Sequence, residues 1–86
     1  MKIASCGTIE SNDCLITIKK NHETKIDIES IVYDQFKDQI EKVIQDTLKE
    51  MKMHNVHVHI QDKGALDYTI RARLITAIER MEEDHA

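Results

Sequence analysis

The chain predicts an α+β fold: a small two-layer sandwich, with a mainly antiparallel or mixed three-stranded sheet covered by two helices. Three observations carry this. Three short segments alternate apolar and polar residues and are rich in β-branched side chains. Two longer segments space their apolar residues by three and four, the period of one helix face. No proline interrupts either kind of segment, and there are only two glycines, Gly7 and Gly64. One-sided strands fit a sheet with one face in water, and single-striped helices cover the other.

In order, residues 1–13 read as an irregular, flexible segment in which Ile3 and Ile9 are possible anchors. Residues 14–19 read as a strand with Ile16 and Ile18 on one face. A polar turn follows, and residues 25–30 form a second strand with Ile26, Ile28 and Ser30 on one side. Two strands so closely linked suggest an antiparallel hairpin. The longest helical signal runs from Ile31 to about Met53, with Val32, Phe36, Ile40, Val43, Ile44, Leu48 and Met51 in one stripe. Some twenty helical residues span about 30 Å, enough to cross the domain. Ser30 or Asp34 is placed to cap its start. Val56, Val58 and Ile60 alternate with His57, His59 and Gln61 in a third strand. A loop, Asp62-Lys63-Gly64-Ala65, leads into a second helix from Leu66 to about Met81, and the acidic tail after it is expected to fray.

Eighty-six residues make one domain, 1–86, with too small a core for a deep enclosed active site. A formal charge of −4 and only three aromatic residues, Tyr33, Phe36 and Tyr68, argue against a nucleic-acid binder, which needs basic surface and stacking platforms. No segment is long and apolar enough to span a bilayer, and the N-terminal residues lack the apolar run of a signal peptide, so no membrane partner and a cytoplasmic location are expected. Cys6 and Cys14 are read as reduced thiols.

The pointed stretch is Gly7-Thr8-Ile9-Glu10-Ser11-Asn12-Asp13. Gly7 relaxes the backbone before it, and Asn12-Asp13 favours a turn. Ser11 is therefore an exposed hydroxyl between two carboxylates. The nearest histidine along the chain is His22, and a small open domain offers little to exclude water or hold an oxyanion, so Ser11 is a better acceptor of a modification than a catalyst, and no catalytic residue is expected. Glu10 and Asp13 are read as help for a modifying enzyme. In Asp62-Lys63-Gly64-Ala65-Leu66-Asp67, Gly64 permits the turn, Asp62 is a candidate cap, and Lys63 a candidate phosphate contact, although the motif is not a phosphate loop. His54, His57 and His59 are the one ligand-like cluster. They are read as a solvated strand face, and no metal site is assigned. On residues alone, a stand-alone interaction or metal-binding module stays open as the alternative.

Together, the Ser11 stretch and the motif from Asp62 to Asp67 resemble the acyl carrier protein, or gamma subunit, of citrate lyase. Ile28-Glu29-Ser30-Ile31-Val32, Gln35-Phe36, Gln39-Ile40, Val43-Ile44, Thr47-Leu48 and Ile70-Arg71-Ala72-Arg73 are similar too, so the likeness covers nearly the whole chain. The resemblance implies a covalently attached arm, 2'-(5''-phosphoribosyl)-3'-dephospho-CoA, joined by a phosphodiester to Ser11. It makes the protein a phosphoprotein and residues 1–13 the attachment segment, with Glu10, Asp13, Lys63 and Gly64 as loop contacts. It implies alpha and beta lyase subunits and a prosthetic-group transferase as partners. The arm's thiol would carry acetyl and citryl groups as citrate is cleaved to acetate and oxaloacetate, and the carrier itself would perform no bond chemistry. Many relatives have a second serine where this chain has Asn12, and many run longer at the C-terminus.

Overall fold

The computed structural model of the chain describes residues 2–31 and 33–83, without the side chains of residues 33–35. Val32, the alternative cap Asp34 and the tail from residue 84 thus lie outside the description. The elements are strands β1 (Ile3–Gly7), β2 (Cys14–Lys20) and β3 (Lys25–Ser30), helix α1 (Tyr33–Glu50), strand β4 (Val56–Asp62) and helix α2 (Asp67–Glu83). The predicted two-layer α+β architecture is present. One mixed sheet, ordered β1-β2-β4-β3, is covered by α2 over β1 and β2 and by α1 over β3.

Two expectations need correction. Residues 1–13 are not irregular throughout, because residues 3–7 form a fourth strand, antiparallel to β2 with Cys6 opposite Ile16. Ala4, Ser5 and Gly7 have weak strand preference, and the strand exists because it pairs with β2 and packs under α2. Its Ile3 does not anchor anything; it is exposed, as is Ile9. The expected hairpin between β2 and β3 is also absent. Strand β4 lies between them, antiparallel to β2 and parallel to β3. Asn21 N–H donates to Asn55 O, and Asn55 N–H donates to the Thr24 hydroxyl, so the start of β4 is stitched into the gap between the two strands.

Burial explains the order. The inward residues of β2 and β4, namely Cys14, Ile16, Ile18, Val56, Val58 and Ile60, are all fully buried. Those of β3, Ile26 and Ile28, are only half-buried. The most apolar strand faces take the centre of the sheet, and the weaker strand takes an edge. From α1 and α2 come Ile40, Ile44, Leu48, Ile70, Leu74, Ala77, Ile78 and Met81. Helix α1 ends where Met53 N–H reaches Leu48 O, with Lys52 at φ +56°, a Schellman-type stop. Phe36 and Leu66, expected in the two apolar stripes, are instead exposed beside the N-terminus of α2.

Candidate functional site

Residues 8–13 connect β1 and β2 at one end of the sheet. The connection is strapped at its base. Gly7 has φ +108°, and a Cβ there would lie 1.8 Å from the Cys14 carbonyl oxygen, so only glycine allows the two strands to close. Thr8 N–H donates to that oxygen at 3.1 Å. Asp13 then gathers the loop. It accepts from the Thr8 hydroxyl at 2.8 Å and from Cys14 N–H at 2.7 Å. It also accepts Nε and Nη2 of Arg73 from α2, each at 3.0 Å. The Arg73 guanidinium holds the Asp13 carboxyl below its ordinary value, with partial burial opposing it and the Cys14 N–H and Thr8 hydroxyl adding to the effect.

The tip is a four-residue turn closed by Asp13 N–H to Glu10 O at 3.2 Å. Asn12 takes φ +66°, a backbone shape for which type II turns favour Gly or Asn. Asn12 is therefore explained by the turn. Ser11, at the position before it, is exposed, and so is Glu10.

The structure brings the two pointed motifs together. Asn12 N–H donates to Lys63 O at 2.8 Å, and Lys63 N–H donates to Asp13 O at 2.9 Å. These bonds extend the β2–β4 ladder past Cys14 and Asp62 into the two loops. Gly64, at φ +93°, lies so close that a Cβ there would be 3.7 Å from Asn12 Oδ1. Asp62 does not cap α2 as expected. Its buried carboxylate accepts Ala65 N–H and the Ser30 hydroxyl, which ties the 63–66 loop to β3. Leu66 O accepts the first amides of α2, from Thr69 and Ile70.

Beyond this loop a groove of about 790 Å³ opens between the starts of α1 and α2, lined by Phe36, Ile40, Gly64, Ala65, Leu66 and Tyr68. Spacing alone had counted Phe36 and Leu66 as core, so the groove was invisible in the sequence. Arg73 was missed as a functional residue too. A signal existed: Arg73 sits three after Ile70 and four before Ala77, on the flank of a buried stripe, where a charge needs a partner.

The remaining candidates are elsewhere. His57 pairs with Asp27 at 2.6 Å and His59 with Glu29 at 2.8 Å, on the open face of the sheet, and His54 is exposed ahead of β4. Each strand histidine is held by its own carboxylate, and among the described residues no group of three or more ligating side chains could hold a metal ion. Cys6 and Cys14 are free and buried, and burial pushes the Cys14 thiol up to about 12, with the nearby Asp13 and Asp62 charges adding to it. Among the described residues no helix is long and apolar enough to cross a membrane.

A model of the ACP family described as malonate decarboxylase delta subunit (MdcD) matches residues 1–81. The chain is 45% identical over 80 residues to a citrate lyase acyl carrier protein of Treponema denticola, covering 93% of this chain and 92% of the relative. It is 48% identical to that of Halothermothrix orenii, covering 92% and 85% of the two chains. The chain belongs to the citrate lyase acyl carrier protein family. A member from Oenococcus oeni is 49% identical, over 92% of this chain and 82% of its own. The fold of this acyl carrier also matches one chain of a Pseudomonas malonate decarboxylase hetero-tetramer in complex with malonate. The TM-score is 0.78 at 16% identity, over 93% of this chain and 84% of that one.

Proposed function

We propose that this acyl carrier is the carrier subunit of citrate lyase and that Ser11 bears the arm, 2'-(5''-phosphoribosyl)-3'-dephospho-CoA. The observation that supports this best is the exposure of Ser11 at the tip of a turn whose base is fixed from two sides. A primary alcohol in that position suits a phosphodiester, because a transferring enzyme can close over it and the product's charge stays in water. Glu10, exposed beside it, serves recognition by that enzyme, while Lys63 and Gly64 border the attachment turn.

Attachment forms one bond from Ser11 Oγ to the phosphorus, the hydroxyl proton passes to a base of the transferase, and the donor's leaving group departs with its electron pair. When bound, the arm supplies a thiol on which acetyl and citryl groups are carried while citrate is cleaved to acetate and oxaloacetate. The chain's own residues hold the point of attachment. Tethering then keeps the thioester at high local concentration for the alpha and beta subunits, which perform the bond chemistry. The two thiols take no part, because both are buried, and burial holds the Cys14 thiol protonated. The surroundings of the cytoplasm suit this work.

Intact-mass measurement after co-expression with the transferase is the test. The unaltered protein gains the mass of the arm, and Ser11→Ala, with an unchanged melting temperature, gains none. A full increment on Ser11→Ala, or no increment on the unaltered chain, overturns the assignment.

A further inference from the structure

Three of the large apolar side chains exposed among the described residues line one groove: Phe36, Leu66 and Tyr68, at 47%, 59% and 71% exposure. Two of these are aromatic, in a chain with only three aromatic residues. Aromatic faces left in water beside a candidate attachment point are a platform for a flat ring. The groove wall at Gly64 touches the attachment turn, since a Cβ at Gly64 would be 3.7 Å from Asn12 Oδ1 and the Lys63 peptide bonds to both Asn12 and Asp13. Gln39 Nε2 donates to Asp67 Oδ2 at 2.6 Å at the rim. Both residues line the groove, so its rim carries a carboxylate. Such a rim repels phosphate and accepts from an amino group.

We propose that this groove binds the adenine of the arm on Ser11, so that the arm's nucleotide rests on its own carrier while the thiol end stays free to travel. The inference rests on the function proposed above. In chemical order from the serine, the arm offers a phosphate, one ribose and then adenosine, so adenine is the first ring system the groove can meet. Adenine brings a stackable face for Phe36 and Tyr68 and an amino group for the Asp67 rim. The diphosphate is excluded by the same carboxylate. The tether makes a weak site effective, because the ring is held at high local concentration. Docking the nucleotide would also shorten the free part of the arm to its thiol-bearing end and narrow the volume it searches.

The experiment compares ¹⁵N-labelled protein before and after attachment, with the adduct verified by intact mass. The expected result is amide shifts at residues 64–68 and at Gln39 and Ile40, in addition to those at 8–14. Cross-relaxation from adenine H2 or H8 to the Phe36 and Tyr68 rings is expected as well. Phe36→Ala and Tyr68→Ala alter exposed side chains, so both variants should fold and keep the adduct while the groove shifts disappear. Shifts confined to residues 8–14 with the adduct present overturn the inference and leave the carrier assignment standing. Cross-relaxation from the dimethyl group of the thiol-bearing chain, in place of adenine, overturns it in the same way. Absence of the adduct on the unaltered protein overturns both.

Discussion

Glu10 and Asp13 stand on either side of Ser11, yet the fold treats them oppositely. Glu10 is exposed at the outer side of the turn. Asp13 is largely covered, with its side chain 14% exposed, and it accepts hydrogen bonds from Thr8, Cys14 and Arg73. The sequence offers two similar acids around one hydroxyl. The structure leaves one of them in water and makes the other a tie between the loop, strand β2 and helix α2. The lesson concerns mobility. A carrier needs a travelling arm, but that does not require a loose loop, and here the turn that offers the hydroxyl is fixed at its base.

The strongest way to break this contrast is Gly7→Ala. Its Cβ would enter the Cys14 carbonyl at a backbone angle that L-residues rarely adopt, so the hairpin must open. A loss of about 3 kcal/mol or more is expected in chemical denaturation. A loss under about 0.5 kcal/mol would mean the hairpin base is not closed as described.

Next is Asp13→Ala, expected to cost about 2 kcal/mol, because it removes charge-assisted bonds and leaves the Cys14 N–H without its partner. The effect has a pH signature. The folded-state carboxyl titrates below its ordinary value of 3.8, so its contribution is fully present above that value and fades as pH falls through the lower folded-state one. The stability gap between unaltered and variant protein should therefore hold from pH 7 to about 5 and close in strong acid. A gap independent of pH would show that the Asp13–Arg73 pair is not what holds the loop. Arg73→Ala should reproduce the trend in weaker form, since Arg73 is partly in water.

The smallest expected stability effect is that of Glu10→Gln, within about 0.5 kcal/mol, because its side chain is exposed. Its effect should fall on the rate of arm attachment, read by mass against time. An unchanged rate would remove the recognition role and leave only the structural half of the comparison.

Much of the molecule was legible in the chain. The alternation in residues 14–19, 25–30 and 56–60, and the three-to-four spacing in both helices, depend on local periodicity, and each of these elements is present. The turn at Ser11 was legible from its own residues, because Asn12-Asp13 favours a turn. Strand β1 was not, because Ala4, Ser5 and Gly7 carry no strand signal of their own. Strand order was not legible either, since a four-residue polar link between β2 and β3 is compatible with a hairpin. Only the rivalry for the buried centre seats β4 between them.

What the sequence by itself determined was the α+β class, the exposed serine and the family to which the chain belongs. Those rest on periodicity, turn chemistry and motifs, all of which act over neighbouring residues. What only the tertiary structure decided was that Asn12 bonds Lys63, that Asp13 is held by Arg73, and that Phe36 and Tyr68 share a groove with Gly64. Those pairings span 51, 60 and up to 32 positions, the last from Phe36 to Tyr68. No local preference encodes them; they arise when the sheet closes and the buried faces of β2 and β4 fix which loops become neighbours.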